Sequence, residues 1–198
     1  MRPEKAESTS CMDEFSYLSV LISVILGLAL TQILKGFRGI LLSRTRVRIY
    51  WPVLAWAVLL LLVCVQSWWA MFELRHYQPW TFAAFAIVLL QTIVTYMLAG
   101  LIFPDLFGEG IVDLRESFYA HRVWFFAFGF LVILVSISKG VVLYGELPHR
   151  TDLVFHAFFA TIFLIGAFTG SESCHKALVV LAMASFILYI IIVFARLH

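Results

Sequence analysis

Charge is scarce in this chain, and that scarcity decides the solvent. Lys, Arg, Asp and Glu make up 13% of its residues, against about a quarter in a soluble globular domain. A mostly aqueous surface is thereby excluded. Cysteine is scarce as well. Cys11, Cys64 and Cys174 are widely spaced and form no CxxC pair, so neither a disulfide framework nor a redox dithiol is expected. Cys64 lies inside an apolar run, where a thiol behaves as a small hydrophobe. Also missing are HExxH, HxxxH, GxSxG, a Walker A loop and GxGxxG, the spacings that bring ligands, nucleophiles or phosphate cradles together. No catalytic residue, metal or cofactor is assigned on this basis, and a non-enzymatic protein is expected. The net charge of +2 falls short of the clustered basic face of a nucleic-acid binder.

Hydrophobic residues fill the space that charge leaves. They form 63% of the chain, with a mean hydropathy of +0.98. They gather in six long runs, and a bilayer core needs about 20 apolar residues per helix. The expected fold is all-α, a polytopic bundle of six transmembrane helices at about 15–34, 52–72, 80–103, 123–142, 153–170 and 177–195, after a polar tail at 1–14. Residues 15–198 then form one membrane domain, with the lipid bilayer as its partner. The start MRPEKAESTSCMDE mixes acids and bases, unlike a signal peptide's basic start, so the first run reads as a retained helix. Lys35, Gly36 and Arg38 read as its close. Tyr50-Trp51 mark an interface belt, and Pro52 falls in the first turn of the second helix, where its missing N–H costs little.

Even spans put both termini on one face. Lys35, Arg38, Arg44, Arg46 and Arg48 cluster at the first loop, against Arg2 and Lys5 before the first helix. The positive-inside rule places that loop in the cytoplasm and the termini outside.

Three groups of residues stand out. The first helix carries Ser19, Ser23, Gly27 and Thr31 at intervals of four, continued by Lys35 and flanked by Ser16 and Gln32. Such residues share one face. A packing seam fits them, since small residues let backbones approach closely in lipid; a polar line along a solute path fits them too. Toward the termini face lie Gln66, Ser67, Glu73, Lys139 and His156, with Gln91 near mid-depth. Ionisable groups within spans are expensive and often mark pathways, so a vestibule pairing Lys139 with Glu73, or setting it near His156, is expected. The third group is a charge network on the first-loop face: Arg44, Arg46, Arg48, Asp105, Glu109, Asp113, Arg115, Glu116 and Arg122. It is expected to pin the start of the fourth helix to the first loop. The Cys174-His175 pair reads as an unremarkable short loop, and the sixth helix as lipid-compatible filler.

Several stretches together resemble a family of small bacterial integral membrane proteins without assigned function. They are EFSYLSVLISVILGLALTQIL, the loop entering VRIYWPVLAW, SWWAMFEL, and LIFPD followed by RESFYAHRVWFF. The resemblance covers roughly the first 140 residues and implies the bacterial inner membrane. A looser likeness is to the six-helix bacterial relatives of the lysosomal potassium channel, which set a short polar-decorated first helix at the pore. Of their hallmark RxxxFSDGVFAI only Phe15-Ser16 is present here, so no residue role is carried over. Two functional readings follow. One is a small channel or transporter-like permeation protein, as a homo-oligomer with the first-helix line facing the path. The other is a non-catalytic subunit, sensor or scaffold that binds a partner membrane protein through its cytoplasmic loops.

Overall fold

A computed structural model describes residues 14–42, 46–104 and 111–196, apart from the side chains of Glu14, Phe72, Glu73 and 193–196. Six helices dominate it: α1 Glu14–Leu42, α2 Trp51–Leu74, α3 Phe82–Gly100, α4 Leu114–Tyr144, α5 Arg150–Phe168 and α6 Glu172–Arg196. All six are long and apolar enough to cross a membrane. The chain is a multi-pass, all-α membrane protein.

Local chemistry explains the helix ends. Thr81 caps α3 by accepting the Ala84 N–H at 3.1 Å. Asp113 caps α4 by accepting the N–H groups of Arg115 and Glu116 at 2.9 and 3.2 Å, which satisfies two of its orphan donors. At its far end Gly145 takes a left-handed φ of 72° and donates to the Val141 carbonyl. With 29 residues in α1 and 31 in α4, both exceed the ~20 that span the hydrocarbon.

That length revises the reading of Lys35, Gly36 and Arg38, since α1 runs through all three to Leu42. A ring explains why Gly36 is tolerated there. A Cβ at Gly36 would fall into the side chain of Phe103, which also meets Phe37 edge-on at 5.4 Å. The glycine is a docking surface for the segment that follows α3 and not a stop. Residues 114–122, ahead of the expected fourth span, are part of α4, which starts at Leu114 under its Asp113 cap.

Successive packing of α1 on α3, α3 on α4, α4 on α5, α5 on α6, α6 on α2 and α2 on α1 closes a ring, with α2 also touching α3 and α4. Its centre is aromatic. Trp56 of α2 is 1% exposed and meets Phe125 and Phe126 of α4 edge-on at 5.6 and 5.7 Å. It stacks on Phe163 of α5 at 6.0 Å. Two glycines let α4 and α5 close on this centre reciprocally: Phe163 lies over Gly129, and Phe126 over Gly166. Leucine, isoleucine and valine, by contrast, are plentiful on the outside, among them Val24, Leu28, Leu181 and Ile191. Apolar groups facing outward from an aromatic core is the arrangement lipid requires.

On the first-loop face, Val47–Arg48 and Val112–Asp113 form a two-stranded parallel pair, with Val47 opposite Val112 and Arg48 opposite Asp113. The Val112 N–H donates to the Arg46 carbonyl at 2.8 Å. This short ladder ties the α1–α2 connection to the start of α4.

Candidate functional site at the first-loop face

The described residues bring together Tyr50, Tyr119, Arg122 and His175 just inside the first-loop face. Tyr50 precedes α2, Tyr119 and Arg122 lie in the first turns of α4, and His175 in the first turn of α6. Tyr119 is the hub. Its ring is 6.4 Å from that of Tyr50 and 5.4 Å from the His175 imidazole, and the guanidiniums of Arg115 and Arg122 lie 5.4 and 5.9 Å from its centre. Helix spacing produces that sandwich, because positions four before and three after Tyr119 share its face. His175 has no exposed surface and stacks on Phe126 at 5.5 Å.

Four buried polar atoms of this group lack a hydrogen bond of good geometry: Tyr50 Oη, Tyr119 Oη, Arg122 Nε and His175 Nδ1, the two phenol hydroxyls lying close enough to influence each other. Each buried group left unsatisfied costs about 1–3 kcal/mol, so a cluster of four calls for a physical account. The other imidazole nitrogen, Nε2, lies 3.1 Å from the Thr169 carbonyl. A carbonyl only accepts, so Nε2 carries the hydrogen, and the neutral ring turns a bare Nδ1 lone pair inward. Burial, followed by the neighbouring Tyr119 hydroxyl, pushes the Tyr50 phenol well above its ordinary value. It remains a neutral donor.

An open cleft of ≈ 430 Å³, lined by Asp113, Arg115, Glu116, Tyr119 and Gly170, leads to the hub. Its rim is held by ion pairs. Arg115 meets Glu172 at 3.0 Å, and Glu172 also holds Lys176 at 2.7 Å. Arg48 reaches Asp113 at 3.8 Å.

The expected charge network is thus partly assembled. Arg48, Asp113, Arg115 and Glu116 meet at the start of α4, and Arg46 joins through its backbone. Arg122 binds inward, with Nη1 on the Tyr119 carbonyl at 3.2 Å, and takes no acid among the described residues. Arg44, Asp105 and Glu109 lie outside the described residues. The partner of Arg115 is Glu172, in the first turn of α6, which reads from sequence as part of a short loop before the sixth helix. That reading gives way: Glu172 and His175 anchor the site. His175 was legible only as the end of a short loop, and nothing in the pattern marks it as fully enclosed.

Elsewhere the expected groups separate. In α1 the residues facing the bundle are Leu18, Ile22, Leu26, Ala29 and Ile33. Ser23, Gly27 and Thr31 are exposed and Ser19 half-buried beside them, and a Cβ at Gly27 meets nothing within 4 Å. The stripe is therefore no seam within this chain; it faces out of the bundle. Its hydroxyls bond their own helix, Thr31 to the Gly27 carbonyl at 2.8 Å and Ser19 to that of Ser16 at 2.9 Å. On the termini face, His156 Nε2 meets Ser136 Oγ of α4 at 3.0 Å, one turn before Lys139. Gln66 and Ser67 are half-buried on α2, and no hydrogen bond among the described residues joins them to that pair. The Glu73 side chain lies outside the described set, so its pairing with Lys139 does too. Gln91 is half-buried, with its Oε1 enclosed and unpartnered.

Among the described residues no three metal-ligating side chains gather. The chain matches no protein-family model, no curated protein and no solved structure.

Proposed function

We propose that this protein is a non-enzymatic permeation protein of the bacterial inner membrane, working as a homo-oligomer with α1 lining a path between copies. The first loop faces the cytoplasm, as its basic residues favour. The observation that carries the reading is the outward stripe of Ser19, Ser23, Gly27 and Thr31. Small and hydroxylated residues at spacing four are spent on a face that this chain's own helices leave open. A path through the single bundle has less support, because Trp56, Phe125, Phe126 and Phe163 fill its centre. Flux of ions and small solutes into liposomes containing the purified protein tests this. The wild type is expected to conduct and Ser23→Leu to conduct at a small fraction of that rate. Absence of flux for every solute, or full flux in Ser23→Leu, would overturn the reading.

The second reading, a non-catalytic subunit or sensor that binds a partner through its cytoplasmic loops, draws on the exposed charges around the cleft. Arg48 and Arg115 expose 75% and 58% of their side chains. Loss of a phenotype in an Arg48→Glu, Arg115→Glu variant that still assembles and conducts would favour it.

A further inference from the structure

We infer that the Tyr50–Tyr119–Arg122–His175 cluster is a binding site for a terminal phosphate group, carried as the monoester of a lipid headgroup or as free phosphate. The inference is independent of any path along α1.

The unpartnered atoms define the ligand. Arg122 Nε, Tyr50 Oη and Tyr119 Oη supply three donors, and His175 Nδ1 supplies one acceptor. An oxyanion that keeps one hydrogen matches that set: its bare oxygens accept from the guanidinium and phenols, and its O–H donates to the imidazole. Free hydrogen phosphate has this form near neutral pH, and a phosphate monoester, with a second pKa of about 6, takes it when the site favours the protonated anion. A diester, whose one remaining acid group is ionised near neutral pH, lacks the O–H and leaves Nδ1 bare.

Two of the four side chains are more than nine-tenths enclosed, Tyr50 at 6% exposure and His175 at none. Such groups persist without partners only where something else satisfies them. Access and charge agree. The cleft opens onto Tyr119, and Arg122 has no carboxylate partner among the described residues. Two acids line the outer cleft, but Asp113 is engaged by Arg48 and by two backbone N–H groups, while Glu116 sits at the exposed rim. Glu172 is occupied by Arg115 and Lys176. Both α4 and α6 begin at this face, so their positive ends favour an anion there. Tyr50-Trp51 place the site at headgroup depth.

The test uses the full-length protein and its Tyr50→Phe, Tyr119→Phe double variant. Thermal unfolding in detergent is followed as inorganic phosphate is titrated against chloride at equal ionic strength. Binding to vesicles of phosphatidylcholine with and without phosphatidic acid is measured in parallel. Each lost donor to a charged ligand is expected to weaken binding about tenfold or more. Without ligand the double variant should melt close to the wild type, because it removes both hydroxyls of a neighbouring pair together and leaves neither buried alone. A saturable rise in the wild-type melting temperature with phosphate, lost in the variant, supports the site with free phosphate as its source. Preference for phosphatidic acid, lost in the variant and without a phosphate effect, supports the headgroup. If neither probe acts on the wild type, or both act equally on the variant, the inference fails and the cluster holds only water. Arg122→Gln supplies a second variant, expected to lose binding with both tyrosines intact.

Discussion

Gly129 and Gly166 let the rings of Phe163 and Phe126 lie directly against the backbones of α4 and α5. A Cβ at Gly129 would sit 2.6 Å from the Phe163 ring, closer than van der Waals contact permits. Overpacking of this kind costs about 1–3 kcal/mol. Gly129→Ala is therefore expected to lower the melting temperature in detergent, and Gly129→Ala, Phe163→Leu to recover part of the loss. Neither glycine was legible as special, because a small residue in an apolar run looks the same whether it meets a ring or lipid. Tyr50 offers a pH signature. Its folded value lies above the unfolded phenol value of about 10, so the folded chain holds the proton more tightly. That stabilisation is complete below the unfolded value and is lost as pH climbs through the folded one. Stability should fall above about pH 10, and Tyr50→Phe should flatten the fall in a pH series of unfolding scans.

Among the elements, α4 shows how local rules and tertiary demands meet. Its membrane-spanning part was legible from sequence at about 123–142, although the helix begins earlier, at Leu114 under the Asp113 cap. The two-residue ladder to Val47–Arg48 was not, because pairing between segments so far apart leaves no local trace. Asp113→Ala removes the cap and the Arg48 contact together. It is expected to cost about 1–2 kcal/mol, nearly all from the cap, since the ion pair is long and exposed and such pairs contribute little. Asp113→Asn keeps a capping oxygen and should retain most of the stability, which chemical denaturation of both variants would establish. The bounds of α1 carry the complementary lesson. Lys35-Gly36-Arg38 has the composition of a helix stop, yet the Phe103 ring on Gly36 lets the helix continue. Propensity yields there to a contact from another helix.

At the scale of the whole molecule, the ring of six helices holds a cluster of aromatic rings at its centre and turns many aliphatic groups outward. The outward stripe of α1 then makes a prediction about assembly. Gly27 has open space above it, so Gly27→Ile should leave the fold of one chain intact. In the oligomer the added side chain would force apart helices that rely on close backbone approach. Cross-linking in membranes is expected to capture oligomers of the wild type and mainly monomers of Gly27→Ile, with equal melting temperatures for the two chains. Oligomers unchanged in Gly27→Ile would remove α1 from the interface.

Six apolar runs between short polar loops determined, by themselves, that this is a six-helix membrane protein. Lipid cannot satisfy a free backbone, so long apolar segments must become helices wherever their neighbours lie. Burial of His175, its meeting with Tyr50 and Tyr119, the Arg115–Glu172 pair and the outward turn of the Ser19 to Thr31 stripe were decided only by the tertiary structure. In a bilayer both faces of a helix are apolar, so the pattern that tells inside from outside in water is erased. Which face turns inward then depends on how rings and glycines fit between helices, and that fit exists only once all six are assembled.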